Sequence, residues 1–332
     1  QALLHTSFEQ GVKGFSSGLY YDPCLYADEQ ELLALLAVVK EHNGIFSVHH
    51  REEGEGVVES LREVINLAKI SGVSLQISHL KAIGKKSQSK VPEMLSLIEQ
   101  AYHDGVDISF DQYPYEWGAT SLSSLLPPSI LSLEKGERNA LLSTSNGKKR
   151  VKEEILSPHG FDSIIHLCGT DSITLLSYDA DPSLENKSLD EIGGMWNVEP
   201  IEAFFTLIKE TKERALMSDI TQTRESIETI MAHPLGFFST DAIYSGKNWH
   251  QRSTRAVIDL FDRFYLEKEV LSLHQHVQRM SVKPAKKLHL IDRGMIQNGY
   301  VADLVILNLD GKTRVDTVII NGDIAYSNNR HL

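Results

Sequence analysis

The sequence predicts an α/β protein whose core is a parallel sheet, followed by a small all-β segment. Short, nearly continuous apolar runs alternate with amphipathic stretches: 45–50 precedes 56–72, and 73–80 precedes 91–105. Apolar runs of that length indicate strands that helices cover on both faces, as in βαβ units. In 301–328 the pattern changes to alternating strands, which are typical of an antiparallel sheet with one exposed face.

An earlier strand and helix are predicted at the start of the chain. The strand lies within 11–21 and its helix spans 27–44. Asp28 is the expected N-cap of that helix, because its short acidic side chain can accept a hydrogen bond from a first-turn N–H. Glu31, three residues later, completes a capping pattern. In the next helix, 56–72, apolar residues recur at helical spacing.

Glycines and two further strands complete the regular part of the pattern. Gly72 and Gly105 each stand at the end of a predicted helix and directly before a strand, where glycine is common. Strands are then predicted within 106–115 and 236–241. Between them, over about 116–235, the pattern is irregular.

We interpret this irregular stretch as an insertion with its own helices. Pro127–Pro128 breaks the chain, and two mainly helical stretches, 129–157 and 187–232, flank the apolar run 163–168. For that run a strand is one interpretation. Two further helices are predicted after the insertion.

The C-terminal part of the chain follows those helices, which are expected at 252–265 and 270–281. The alternating strands beyond them contain an Asn-Gly pair at 321–322. Asn-Gly between two alternating runs is a strong signal for a two-residue hairpin turn. A small antiparallel β module is therefore expected at this end of the chain.

Composition excludes several classes of protein. The chain has 332 residues, 41% of them hydrophobic, and a formal net charge of −12. That charge argues against nucleic acid as the main partner, and no apolar run reaches the roughly 18 residues of a membrane span. Cys24 and Cys168 form no CxxC pair, and the first residues lack the pattern of a signal peptide, so a cytoplasmic location is expected.

Polar side chains follow the predicted strands at the points where those strands end. They are His49–His50, His79, Asp111 and Asp241. Because ligands bind beyond the carboxyl ends of parallel strands, two histidines and an aspartate there indicate a mononuclear metal hydrolase. Zinc suits imidazole ligands and leaves a position open for water. Each histidine alone would be more typical of a hydrogen-bonded structural residue, and no HExxH cassette is present.

Further motifs occur in a fixed order along the whole chain: GVKGFSSGLYYDP, VHHREEGEG, VSLQISHLKAIGK, DQYPYEWGATSLSSLLPP, NKSLDEIGGMWNVEP, HPLGFFSTDA and DRGMIQNGYVADLVILNL. In that order they resemble the N-acyl-D-amino-acid deacylases (D-aminoacylases) of the amidohydrolase superfamily. The resemblance implies a (β/α)8 TIM-type barrel that lacks its first strands in this chain, plus C-terminal strands of a small β-sandwich. The corresponding domains are a partial barrel, 1–285, and a β segment, 286–332.

The resemblance also implies an activity and a set of site residues. The activity is zinc-dependent hydrolysis of N-acyl-D-amino acids to a D-amino acid and a carboxylate, with one tightly bound Zn²⁺. His49 and His79 match the family's metal ligands, and Asp241 matches its general base. The expected partner is this small-molecule substrate, with no nucleic acid or membrane, while homo-oligomerisation is left open.

Other residues match the part of the family site that holds the substrate carboxylate. Lys81 and Tyr113 stand at two such positions, and His250 and Arg252 match an HxR element downstream of the aspartate. A free carboxylate needs a cation in a fixed place, and lysine and arginine supply it. Ala119 departs from the family, which commonly has serine there.

Several neighbouring groups are instead assigned structural roles. His50 is placed outside the metal site, on the other side of its strand. Glu52, Glu53 and Glu55 are interpreted as first-turn carboxylates that favour a helix dipole. For Asp111, a structural and a catalytic role stay equally open.

The family's first-strand HxH pair and metal-binding cysteine are not found in this sequence. An HxH occurs at 274–276, but on a late amphipathic helix. Only about five barrel strands are predicted, whereas a closed barrel has eight. The chain is therefore expected to begin at about the fourth strand, with the remainder supplied upstream or by another chain.

Two alternative functions remain at this point. A dihydroorotase-like hydrolase would bridge two metals with a modified lysine, but Ser16 and Ser17 occupy that neighbourhood and Lys13 lies too early. A non-catalytic scaffold would have no reason to bind stoichiometric zinc. A nucleotide-binding role is disfavoured, since neither GxGxxG nor a P-loop is present.

Overall fold

The computed structural model of the protein describes residues 1–211, 215–244 and 248–328. Its strands are β1 (Gly14–Gly18), β2 (Ile45–His49), β3 (Ser74–Ile77), β4 (Ile108–Gln112), β5 (Trp117–Ser121), β6 (Thr174–Ser177), β7 (Leu216–Ile220), β8 (Gly236–Phe238), β9 (Leu304–Asn308), β10 (Arg314–Ile320) and β11 (Asp323–Ser327). Its α-helices are α1 (Ala2–Glu9), α2 (Glu29–Glu41), α3 (Val57–Ser71), α4 (Val91–His103), α5 (Pro128–Leu131), α6 (Lys135–Leu141), α7 (Ser145–Leu156), α8 (Ile164–Cys168), α9 (Leu189–Trp196), α10 (Pro200–Glu210), α11 (Arg224–Ala232), α12 (Ala256–Phe261), α13 (Leu273–Val277) and α14 (Lys283–Lys287).

The central sheet is parallel, as the sequence predicts. In the described part of the chain it has five strands in the order β1-β2-β3-β4-β8. Phe46 of β2 and Leu75 of β3 are fully buried and belong to one core with Leu61 and Val64 of α3. Burying an apolar side chain of this size stabilises the fold by about 1.5 to 3 kcal/mol. Because all five strands are parallel, their carboxyl ends lie along one edge of the sheet.

The predicted caps of the first helices are confirmed. The Asp28 carboxylate accepts a hydrogen bond of 2.8 Å from the backbone N–H of Glu31 at the start of α2. Gly72 ends α3 in the left-handed conformation, with φ of 66°. Strand β1 lies within the predicted range 11–21. Helix α1, before it, was not predicted.

The insertion contains a second sheet that the sequence analysis did not predict. Strands β5, β7 and β6 form it in that order, with antiparallel pairing. Strand β7 lies inside the stretch 187–232, which was predicted as mainly helical. The run 163–168 contains the short helix α8 and is not a strand; the Ser163 side chain caps this helix by accepting a hydrogen bond from the N–H of His166. Short apolar runs do not distinguish a strand from a helical turn by periodicity alone.

The C-terminal strands form the predicted antiparallel sheet, in the order β11-β10-β9. Asn321 and Gly322 join β10 to β11 with φ values of 53° and 88°. Two positive φ values are what a type I′ hairpin turn requires. The predicted helices at 252–265 and 270–281 are confirmed in part. The α-helices α12 and α13 lie within these ranges but are shorter, and each continues as a π-helical turn. The domain boundary at 285/286 stays a prediction.

Within the described ranges, no helix is both long enough and apolar enough to cross a membrane.

Candidate metal and substrate site

Three residues with site chemistry lie at the carboxyl edge of the central sheet. His49 is the last residue of β2, His79 follows β3 by two residues, and Asp241 follows β8 by three. His79 and Asp241 both have left-handed backbones, with φ of 35° and 45°. Non-glycine residues in this region are strained, and such strain clusters at functional sites. The Asp111 carboxylate supports His79 by accepting a 2.8 Å hydrogen bond from its backbone N–H.

His49, Glu53 and His79 converge to form a cluster of potential metal ligands. His49 Nδ1 lies 2.9 Å from His79 Nε2, and His79 Nδ1 lies 3.2 Å from Glu53 Oε1. The distance from His49 Nε2 to Glu53 Oε2 is 3.5 Å. One ligand atom from each residue lies within 4.8 Å of the others. The three side chains can therefore face a single ion.

The donor set fits a metal ion. Two imidazoles and one carboxylate form a known catalytic zinc set, in which the fourth position stays open. His49 Nε2 is buried and has no hydrogen-bond partner among the described residues. A buried polar atom without a partner is costly, so a ligand on this nitrogen would relieve that cost.

The prediction that Glu52, Glu53 and Glu55 belong to the first turn of a helix is wrong. Helix α3 begins only at Val57, so Glu53 lies in the loop between β2 and α3. The loop turns the chain back, so that Glu53 faces His49 four residues earlier. The spacing His-x-x-x-Glu directly after a strand was the only available signal, and it is a weak one.

Lys81 lies beside this cluster and is buried. Its Nζ donates a 2.7 Å hydrogen bond to Glu53 Oε1 and lies 2.9 Å from His79 Nδ1. Burial would raise the pKa of Glu53, but His49, Lys81 and His79 together hold it well below its usual range. Burial likewise opposes the charge of Lys81, but Glu53 keeps the Lys81 pKa above its ordinary value. The site therefore contains a fixed carboxylate and a fixed ammonium group.

A second charged pair, Arg252 and Asp241, lines the same pocket. Arg252 Nη1 lies 2.7 Å from Asp241 Oδ2, and Arg252 Nη2 donates a 2.8 Å hydrogen bond to the carbonyl of Ala119. The Arg252 guanidinium and the Lys81 ammonium lie 5.2 Å and 6.0 Å from the ring centre of Tyr113. Seven site residues, six predicted from the sequence and Glu53 found in the structure, therefore line one pocket: His49, Glu53, His79, Lys81, Tyr113, Asp241 and Arg252.

His250 and His50 lie outside the lining of this pocket. His250 Nδ1 accepts a 3.0 Å hydrogen bond from the backbone N–H of Arg252, so His250 orients the turn that carries the arginine. His50 is fully buried, and its Nδ1 lies 3.0 Å from Ser60 Oγ. Asp111 lies on β4 of the central sheet, where its carboxylate accepts the hydrogen bond from the His79 backbone described above.

Asp162 of the insertion holds the loop that carries Glu53. Its carboxylate accepts hydrogen bonds from the backbone N–H groups of Gly54 and Glu55, the second at 3.0 Å. Gly54 is buried, so the loss of this acceptor would leave its N–H unpaired, at a cost of about 1 to 3 kcal/mol. Asp162 therefore ties the insertion to the loop that carries Glu53.

We expect Asp162→Ala to weaken zinc binding by about 10- to 100-fold, the usual effect of removing a partner that orients a ligand. Asp162→Asn keeps one acceptor oxygen and should lose less. Competition with a chromophoric chelator measures the affinity, and urea unfolding of each variant measures its stability. Equal zinc affinity in wild type and Asp162→Ala would show that the Glu53 loop keeps its position without Asp162.

The sequence is similar to a known protein family and to curated relatives. A family model described as the amidohydrolase family matches residues 157–326. Two curated relatives from Alcaligenes xylosoxydans xylosoxydans are an N-acyl-D-glutamate deacylase, 25% identical, and a D-aminoacylase, 24% identical. The matches cover 93% and 95% of this chain but 54% and 55% of those proteins. The chain thus spans about half the length of the curated relatives it matches.

The fold also matches a solved structure. This is an N-acyl-D-glutamate deacylase from Bordetella bronchiseptica, complexed with zinc and a phosphonate inhibitor that mimics the tetrahedral intermediate. The TM-score is 0.80 at 22% sequence identity, covering 98% of this chain and 62% of that chain. A D-aminoacylase crystal structure matches with a TM-score of 0.77 over the same shares. The architecture described above is therefore shared with these enzymes.

Proposed function

The chain belongs to the amidohydrolase family, and from that premise we propose that it is a metal-dependent hydrolase of the amide bond in N-acyl-D-amino acids. One observation carries the proposal: a His–Glu–His cluster, two cations and a separate carboxylate face one pocket. This is the set of groups that hydrolysis of an amide next to a free carboxylate requires. The D configuration in the proposal rests on the relatives, two of which are named N-acyl-D-glutamate deacylase and N-acyl-D-aspartate deacylase.

In this proposal His49, Glu53 and His79 hold the ion. A bound zinc ion would polarise the scissile carbonyl and lower the pKa of water toward about 7. Asp241 then has the role of moving the proton: its carboxylate accepts a proton from the attacking water and delivers it to the leaving nitrogen. Arg252, at 2.7 Å, fixes the orientation of that carboxylate.

The substrate carboxylate is assigned to the cations around Tyr113. Lys81 and Arg252 both lie close to this ring, and the Tyr113 hydroxyl is buried with no partner in the described part of the chain. A carboxylate placed there would receive charge-assisted hydrogen bonds, which are about twice as strong as neutral ones. The same contacts would align the amide with the His–Glu–His cluster.

The direct test uses the zinc-loaded protein with N-acetyl-D-methionine and its L enantiomer. Chiral chromatography would separate the free amino acids, and we expect release of D-methionine with little L-methionine. Turnover should stop on removal of the metal with a chelator and return when zinc is restored. Absence of turnover for a panel of N-acetyl-D-amino acids would refute the proposed function.

We expect Lys81→Met to raise the KM for such substrates by about 10- to 100-fold, since a hydrogen bond to a charged group is worth about 1.5 to 3 kcal/mol. Steady-state kinetics would measure it, and the exposed neighbour Lys85 provides the control Lys85→Met. A KM that stays at the wild-type value in Lys81→Met would remove Lys81 from the carboxylate site.

A further inference from the structure

The proposed reaction leaves one buried acid in the pocket without a role. Asp219 lies on β7 of the insertion, is 3% exposed and lines the same pocket as His49 and Lys81. Its Oδ2 is shielded from solvent and has no hydrogen-bond partner within the described ranges. A buried carboxylate oxygen without a partner is uncommon in native structures and calls for an explanation. A ligand with an N–H group would supply the missing partner.

The residue across the sheet from Asp219 is a glycine, and a side chain at that position would crowd Asp219. Gly118 of β5 pairs with Asp219 of β7. A Cβ at Gly118 would lie 3.3 Å from Asp219 Oδ1 and 3.4 Å from the Tyr113 hydroxyl. The Asp219 carboxylate and the Tyr113 hydroxyl therefore both adjoin Gly118, and each has a buried oxygen without a partner in the described ranges. Ile164 and Leu167 of the insertion add an apolar wall to the pocket.

The charges around Asp219 restrict which ligand groups can bind beside it. The substrate's α-carboxylate is assigned to Lys81 and Arg252, and a second anion beside Asp219 would be repelled. Burial raises the pKa of Asp219 to about 6, so the group is largely ionised above neutral pH. An ionised acid in an apolar wall favours a hydrogen-bond donor or a cation.

We propose that Asp219 is a specificity-determining residue, which accepts a hydrogen bond from a D-amino acid side chain that ends in an N–H donor. This rests on the proposed function and names its substrate class: N-acyl-D-amino acids with amide or cationic side chains. Acidic side chains are disfavoured. The preference would be opposite to that in the names of the relatives that act on N-acyl-D-glutamate and N-acyl-D-aspartate.

Glutamine and glutamate provide a sharp test, because their side chains have nearly the same shape and differ in donor and charge. The ratio of kcat/KM for N-acetyl-D-glutamine over N-acetyl-D-glutamate is measured for the zinc-loaded wild type, Asp219→Asn and Asp104→Asn. Asp104 is an exposed control at the opposite edge of the sheet. Because the ratio is taken within each variant, a reduced folded fraction cancels.

We expect the wild type to favour the glutamine substrate by about 10- to 100-fold, and Asp219→Asn to lose most of that preference. The control variant should keep the wild-type ratio. A wild-type preference for the glutamate substrate, or a ratio in Asp219→Asn equal to that of wild type, would overturn the assignment of Asp219 and leave the proposed function intact. If the wild type hydrolyses no N-acetyl-D-amino acid, the proposed function and this inference both fail.

Discussion

Replacing Asp241 with asparagine should lower kcat by about 100- to 10,000-fold, the range expected when a general acid–base group is removed. Asparagine keeps the shape of the side chain and one oxygen that can face Arg252, 2.7 Å away in the native protein. It cannot take a proton from water and return it to nitrogen. The measurement is kcat on N-acetyl-D-methionine, together with the zinc content of the same sample.

The zinc content makes this result interpretable. Asp241 is not part of the His–Glu–His cluster among the described residues, so Asp241→Asn should retain its metal. Asp104→Asn, which removes an exposed carboxylate, should change neither quantity. Full activity in zinc-loaded Asp241→Asn would exclude Asp241 as the general base.

The second large effect is expected at His49, whose neighbour His50 provides a matched control. His49→Ala removes an imidazole from the cluster. We expect zinc affinity to fall by more than the 10- to 100-fold that is typical when a residue that only orients a metal ligand is lost. His50→Asn should keep zinc, because His50 bonds Ser60 outside the pocket and asparagine can replace its Nδ1. Dialysis against a zinc buffer followed by elemental analysis measures both variants.

Activity should follow zinc in this pair of variants. Restoring zinc at high concentration should recover part of the activity of His49→Ala if the remaining ligands still converge. The opposite pattern, with zinc lost in His50→Asn and kept in His49→Ala, would mean that the wrong histidine of the pair has been assigned to the site.

The central sheet was predictable because its physical signal is strong. Apolar runs such as 45–50 are buried by helices on both sides, so their composition reports their position directly. The caps at Asp28 and Gly72 follow from local chemistry and were equally predictable. Ligands at strand ends could be proposed for the same reason, since parallel strands place their carboxyl ends together.

The insertion was harder to predict because its structure depends on tertiary contacts. Strand β7 has the sequence LMSDI, which lacks a clear period of two, and it becomes a strand by pairing with β5 and β6. Its residue Asp219 was therefore not placed near the site. Glu53 was missed because its contact with His79 depends on a loop conformation, and sequence spacing does not encode one.

The proposed function depends on a zinc ion that His49, Glu53 and His79 bind. The most direct measurement is zinc K-edge X-ray absorption of the zinc-loaded protein, combined with metal analysis. We expect about one zinc per chain, with two imidazole nitrogens at about 2.0 to 2.1 Å and further oxygen ligands. A spectrum with fewer than two imidazoles around zinc, or a protein that binds no zinc, would contradict it.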